Sequence, residues 1–322
     1  MSASRFGNRF VITTFGESHG AAMGVVIDGC PAGVFFDEKL LISELDKRKP
    51  GVSQITSGRK EADVYEVLSG VFEGITLGTP IAIIVRNRDT KSEDYNDLKS
   101  NFRAGHADDV WQNKFGIRDH RGGGRSSGRE TISRVIAGSV AHMVLNDFGI
   151  KLNVSSFAKQ IGPVNLNENE SVFDNREVQE LLLKAKEDGR SYGGIAEVIV
   201  ENLPANLGQP VFHKLKADLA SAYMGIGATI GVEFGEGFEA TKEEGSKWHY
   251  EGQSGYGGIR GGISTGEKIN VRVAFKPTSS VLDVARKGRH DPCIVPRALP
   301  VLEAMTYLVL VDHVLWSRTD RR

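Results

Sequence analysis

Apolar residues along this chain fall into short runs separated by glycine and polar clusters. FVITTF (10–15), MGVVIDG (23–29), IAIIVR (81–86), IAEVIVENL (195–203), IGVEFGEGF (230–238) and INVRVAF (269–275) read as strands. VLSGVFEG (67–74) is parted from IAIIVR only by ITLGTP, too short for a crossover helix, so that pair is predicted to be antiparallel. Helical spacing is predicted near 38–48, 129–146, 174–188, 211–224 and 301–318, the last with Pro300 placed to start it. Within 129–146 the apolar face is Ile132, Val135, Ile136, Val140, Met143 and Val144. Ser127 and Glu130 form a capping box ahead of it, and the 146–149 stretch NDFG reads as its stop. Strands and helices do not alternate strictly, which favours an α+β sandwich over a doubly wound parallel sheet. No linker, low-complexity tract or repeat breaks the pattern, so residues 1–322 are expected to form a single domain.

Composition narrows the choice. The 322 residues are 40% hydrophobic and 25% charged, an ordinary globular balance. A net charge of −1 argues against a broad basic surface for nucleic acid, so any positive field must be local. Cys30 and Cys293 are the only cysteines, which excludes a disulfide framework and fits a reducing compartment. MSASRFGNRF at the start lacks the apolar core of a signal peptide, and YLVLVDHVLW near the end is short and broken by Asp312 and His313. A cytoplasmic protein without a membrane span is therefore expected.

The local positive field is easy to find. RDHRGGGRSSGRET (118–131) puts Arg118, Arg121, Arg125 and Arg129 on a glycine-rich loop that feeds a helix N-terminus. Free amides, the dipole's positive end and bidentate guanidiniums suit phosphate or carboxylate there; a solvated basic turn is the plainer alternative. TTFGESHG (13–20) ends a strand with Glu17, Ser18 and His19; FRAGHADD (102–109) sets His106 three residues after Arg103; KGRHDPC (287–293) sets Asp291 beside Arg289 and His290. Histidine near neutral pH can give or take a proton, although an isolated histidine is more often structural. In AFKPTSS (274–280) a strand ends at Lys276, and Thr278, Ser279 and Ser280 add hydroxyls beside that cation, a set suited to one phosphate monoester or simply to a polar turn. GYGGIRGG (255–262) looks like a place where backbone approaches a ligand. His106, Asp108 and Asp109 offer metal-ligand atoms, but no ligand spacing supports a metal and nearby arginines would repel it. Walker and dinucleotide-binding fingerprints are absent.

Together these stretches resemble the chorismate synthase family, in order and from near residue 10 to 300. The resemblance implies a β-α-β sandwich with largely antiparallel sheets and helices packed between them, assembled as a homotetramer. It implies a carbon–oxygen lyase that removes phosphate and a ring hydrogen from 5-enolpyruvylshikimate 3-phosphate, in an anti-1,4-elimination that needs reduced FMN. NADPH is a candidate external reductant. By the same resemblance, His106 is the acid toward the departing phosphate and His19 stands by flavin N1. Asp291 works with flavin N5 in removing the ring proton, with Ser18 and Ser127 near that path. Arg48, Arg103, Arg129 and Arg289 match substrate-binding arginines. Arg125, Ser126, Ser127, Gly227, Ala228, Gly261, Lys276, Pro277, Thr278, Ser279, Ser280 and Arg289 match flavin contacts. The anions this site would gather explain why so many guanidiniums share one loop, since unpaired buried charge costs several kcal/mol each.

The chain departs from the family's pattern in places. Ala104 stands for Pro, Gly128 for Ala, Gln54 for Arg, Gly227 for Asn, and Ser254-Gly255-Tyr256 for Asn-His-Ala. Two other classes were weighed. An Arg/Gly-rich RNA-binding module would want interleaved aromatics and basic excess, which are missing. An FMN-dependent reductase shares the cofactor and remains the alternative.

Overall fold

The structure is a computed structural model that describes residues 3–49, 63–87, 101–168, 170–251, 253–282 and 291–320. Arg289, His290 and Gln54, and the side chain of Ser254, lie outside the described residues.

Two five-stranded antiparallel sheets enclose the helices. The first runs β1 (Arg5–Phe6), β2 (Val11–Phe15), β3 (Ala22–Asp28), β8 (Ile81–Arg86), β5 (Tyr65–Ser69) in spatial order. The second runs β10 (Val164–Asn165), β9 (Asn153–Ile161), β11 (Gly194–Glu201), β15 (Ile269–Phe275), β12 (Thr229–Phe234). Their inward rows alternate with less buried positions: Ile269, Val271, Val273 and Phe275 are buried along β15, and Ile81, Ile83 and Val85 along β8. A separate three-stranded sheet joins β4 (Ala32–Phe35), β7 (Ile75–Leu77) and β6 (Val71–Phe72). A hairpin forms from β13 (Ile259–Arg260) and β14 (Ile263–Ser264). The expected pairing of 67–74 with 81–86 holds through β5, which runs antiparallel to β8.

The helices are α1 (Glu38–Arg48), α2 (Asp108–Phe115), α3 (Thr131–Asp147), α4 (Arg176–Asp188), α5 (Leu215–Met224), α6 (Gly245–Glu251) and α7 (Val295–Ser317). α3 packs on β3 of the first sheet, α7 on β9 and β11 of the second, and α3 and α7 pack on each other. Both are therefore buried on most faces, which is why both sequences are apolar nearly all round. They approach closely at Gly138, where a Cβ would stand 2.6 Å from the Cα of Ala304. Gly138→Ala would push these two core helices apart.

Several boundaries differ from the sequence reading. α7 starts at Val295, with Pro296 in its first turn, and Pro300 lies inside it. Proline costs nothing in a first turn, and deeper in it forfeits one donor to the preceding turn, so the helix continues past Pro300. By length and composition α7 could cross a membrane, but 83% of its most apolar stretch is buried in the core. The expected helix at 211–224 begins only at Leu215, because His213 takes a positive φ of 56° and the chain turns before it. Strand β9 and helix α2 have no counterpart in the sequence reading.

The capping box also changes. Ser127 Oγ accepts from the Arg129 N–H at 3.3 Å, capping a short 3-10 turn (Gly128–Glu130) ahead of α3. Glu130 does not reach back. Its carboxylate accepts from Arg134 Nε at 3.0 Å and Thr14 Oγ1 at 3.3 Å, and lies 3.7 Å from Arg125, charged competition that a backbone amide does not match.

Candidate active site

The chemistry-bearing stretches are linked by a circuit of hydrogen bonds in which one step, from Arg297 to Arg48, is made by charge alone. It starts at the end of β2. Arg125, from the glycine loop, donates to Thr14 Oγ1 at 2.6 Å and to the Gly16 carbonyl at 3.1 Å. Just beyond, Ser18 Oγ and His19 Nδ1 lie 3.2 Å apart, both buried. They pack so tightly on Gly122 that a Cβ there would stand 2.4 Å from His19 Nδ1. Gly122 also has a φ of +73°, so glycine is required twice over.

From Gly122 the circuit passes to the 102–109 loop. Arg103, buried, donates to the Gly122 carbonyl at 3.1 Å. It also clamps Asp108 with Nε at 2.8 Å and Nη2 at 2.9 Å. Asp108 in turn lies 2.9 Å from His106 Nδ1, the geometry in which a carboxylate fixes an imidazole's tautomer and leaves Nε2 facing outward. Burial pushes the Asp108 carboxyl up, but hydrogen bonds from His106 and Arg103 and the Arg103 charge outweigh it and hold the group far below the usual carboxylate range.

The next link is the 276–280 segment. Ser279 Oγ donates to the Gly105 carbonyl at 2.6 Å, Lys276 Nζ lies 2.9 Å from Ser279 Oγ, and the Lys276 amide donates to Ala228 at 2.9 Å. Thr278 Oγ1 donates to the Asp291 carbonyl at 3.1 Å, and Arg297 Nη1 to Asp291 Oδ2 at 2.6 Å. Ser280 is buried and Pro277 exposed. Arg297 sits close enough to Arg48 for their charges to repel.

Arg48 and Arg129 both grip Asp63: Arg48 Nη2 at 2.7 Å, Arg129 Nη1 in a shorter contact. All three are buried. Burial raises the Asp63 carboxyl, yet the two guanidiniums pull it below its ordinary value. Burial lowers Arg48 to about 10, against the opposing pull of Asp63, so it stays cationic near neutrality. Its Nε and Nη1 are buried with no hydrogen-bond partner among the described residues. Arg129 Nε then reaches Asn87 at 3.2 Å, and Asn87 Nδ2 donates to the Glu17 and Gly20 carbonyls at 3.1 and 2.9 Å, closing the circuit beside His19.

Asp63 and Arg297 were missed from the sequence. Gly261 lies on the β13–β14 hairpin, whose Gly262 carbonyl binds the Leu215 amide at the start of α5. Beside the circuit opens a cavity of about 490 Å³, walled by Trp111, Phe115 and Ile117 on α2 and after it, and by Arg118, Arg121, Arg125 and Ser126 of the glycine loop. The apolar wall suits a flat ligand, while Glu17, Asp108 and Asp119 share the rest of the lining with the guanidiniums, Arg121 being paired with Asp119 at 2.7 Å. Lys276 beside Ser279 suits a phosphate monoester, and a Cβ at Gly227 or Gly261 would meet nothing within 4 Å, leaving room for a ligand against bare backbone. The residues present thus fit a mononucleotide. Among the described residues no group of three His, Cys, Asp or Glu could hold a metal.

The profile of the chorismate synthase family matches residues 10–315. A chorismate synthase of Bdellovibrio bacteriovorus is 62% identical over 340 residues, covering 100% of both chains. One from Christiangramia forsetii is 42% identical, again covering 100% of both. A solved chorismate synthase structure superposes with a TM-score of 0.72 at 30% identity, covering 97% of this chain and 93% of its own.

Proposed function

The chain belongs to the chorismate synthase family of lyases, and from that premise we propose that it converts 5-enolpyruvylshikimate 3-phosphate into chorismate and phosphate, using reduced FMN. One observation supports the reading: the His106–Asp108 pair, Asp291 and the buried arginines Arg48 and Arg129 lie along one circuit of hydrogen bonds and neighbouring charges.

In the elimination a ring C–H bond breaks, its electrons form a new double bond, the existing ring double bond shifts, and the C–O bond to phosphate breaks. No net oxidation occurs. Reduced FMN, when bound, supplies electron density to the substrate and ends the cycle still reduced. Asp291 would work with the flavin N5 in removing the ring proton. His106, its Nδ1 held by Asp108, presents Nε2 to the departing phosphate and gives it a proton. Arg48 and Arg129 hold substrate anions, and the unpaired Arg48 donors are the ones an incoming carboxylate or phosphate would satisfy. Arg103 acts both on substrate and through Asp108. Lys276, Thr278, Ser279, Ser280, Arg125, Ser126 and Ser127 would hold the FMN phosphate and ring system, with Gly227, Ala228, Pro277 and Gly261 shaping the backbone around it. His19, braced by Gly122 and 3.2 Å from Ser18 Oγ, would face the flavin with Ser18. Arg289 is assigned to the same site on resemblance alone.

We assign the protein to the cytoplasm, in line with its buried free thiols Cys30 and Cys293. A homotetramer is assigned with it. Phe35, Ile75 and Phe72 stand in register across the three-stranded sheet, 63%, 38% and 62% exposed, an apolar row that self-association would cover.

Anaerobic incubation with chemically reduced FMN and 5-enolpyruvylshikimate 3-phosphate tests the reading: chorismate and phosphate should appear in equal amounts. An FMN reductase would consume NADPH and make neither. Absence of chorismate from folded, flavin-bound protein would refute the proposal.

A further inference from the structure

We propose that Asp63 is a positioning residue for the substrate: its carboxylate, shared between Arg48 and Arg129, aims Arg48 at an incoming substrate anion. The inference rests on the substrate-binding role proposed for those two arginines. Arg48 ends α1, whereas Arg129 sits in the 3-10 turn ahead of α3, so no local structure sets the distance between them. Both are buried, and their charges repel. Asp63 meets them with separate oxygens, Oδ2 accepting from Arg48 Nη2 at 2.7 Å and Oδ1 from Arg129 Nη1.

The two arginines differ in what else holds them. Arg129 is also tied through Nε to Asn87 at 3.2 Å, and Asn87 to the carbonyls of Glu17 and Gly20. Among the described residues, the Arg48 side chain makes no hydrogen bond except the one to Asp63. Where its Nε and Nη1 point is therefore set by Asp63. A purely structural ion pair would match one carboxylate to one guanidinium. Here one carboxylate serves two, which leaves the donors of Arg48 unmatched in the interior, a costly state that an anion would relieve. The backbone points the same way. Asp63 takes a φ of +49°, a region that few side chains other than those of Asn and Asp adopt readily, so the carboxylate is kept in place against backbone strain.

Asp63→Asn isolates the carboxylate, because asparagine tolerates the same φ and keeps the shape. Its amide offers one acceptor where two guanidiniums need two, and turns an NH2 group toward the other. Arg129 keeps its bond to Asn87, so Arg48 is the one released. The Kd of 5-enolpyruvylshikimate 3-phosphate by calorimetry, and its KM, are expected to rise about ten- to hundred-fold, the equivalent of one charge-assisted hydrogen bond. At saturation kcat should stay within about three-fold of the parent, as should FMN affinity without substrate. In an Arg48→Met background, where no guanidinium remains to be aimed, adding Asp63→Asn should weaken substrate binding no further. If the asparagine variant folds poorly, Asp63→Gly suits the positive φ, and acetate standing in for the lost carboxylate should restore its substrate binding. Substrate binding by Asp63→Asn as tight as the parent's, or tighter because a negative charge has gone, would overturn the inference and leave the role of Arg48 standing. Multiplicative losses in the double variant, or a glycine variant deaf to acetate, would overturn it as well. Normal substrate binding by Arg48→Met alone would remove both.

Discussion

Gly122→Ala is expected to damage catalysis far more than Gly128→Ala, although both change one glycine of the same loop. At Gly122 the added methyl meets two penalties. The φ of +73° costs an L-residue about 1–2 kcal/mol. The new Cβ would stand 2.4 Å from His19 Nδ1 and 2.9 Å from Ser18 Oγ, so a buried imidazole must retreat by about 1 Å to reach ordinary contact, a displacement that costs on the order of a hundred-fold in turnover. At Gly128 the same methyl meets nothing within 4 Å and φ is not left-handed. Removing glycine's freedom there should stabilise the fold by about 0.4–1 kcal/mol. The assay is anaerobic chorismate formation for both variants, with urea unfolding alongside. Equal turnover by Gly122→Ala and the parent, with an unchanged unfolding midpoint, would refute the placement of His19 against this loop. Equal damage from both variants would show that the loop tolerates no methyl anywhere and that the close contact explains nothing.

His106→Ala should cut turnover by about 10²–10⁴-fold while FMN and substrate still bind; a loss under ten-fold in folded protein would end its role as acid. Lys276→Ala should weaken FMN by about ten- to hundred-fold and riboflavin much less, and equal weakening of both in fluorescence titrations would place the lysine away from the phosphate. Asp63 and Asp108 both have folded values depressed below the ordinary 3.8, so their stabilisation is complete above that value and is lost as pH falls through the lower folded values. The urea midpoint should therefore drop below about pH 4, less steeply in Asp108→Asn, and a flat profile from pH 5 to 3 would contradict the pairing.

What could be read from the chain beforehand follows from how local each signal is. β8 and β15 are legible because buried positions alternate or run apolar without interruption. β9 is not: Ser155, Ser156 and Lys159 break its apolar row, and only its pairing with β11 makes it a strand. The start of α7 was misread because two prolines compete for the role of first turn, and only packing decides that the helix absorbs Pro300. Site residues beside glycine or histidine stood out, since those residue types mark unusual backbone and proton chemistry. Asp63 carries no such mark, because its role comes from Arg48 and Arg129 arriving from distant segments. Arg297 did leave a trace, a cation in the first turn of a helix, but it gains meaning only once Asp291 is seen beside it.

α7 serves the site at one end and ties down the start of the chain at the other. Asp312, near its last turn, accepts from the backbone amides of Asn8 and Phe10 at 3.0 and 2.8 Å, just ahead of the strand that leads to Ser18 and His19. From Arg297 to Asp312 the helix runs about 22 Å at 1.5 Å per residue, joining both flanks of the catalytic circuit through the middle of the core. Along this helix the active site and the interior share one support, so heating that loosens one is expected to loosen the other. Loss of activity and loss of tertiary structure should trace a single curve with temperature, so that a stabilising change anywhere along this helix carries the working range of the enzyme upward with it.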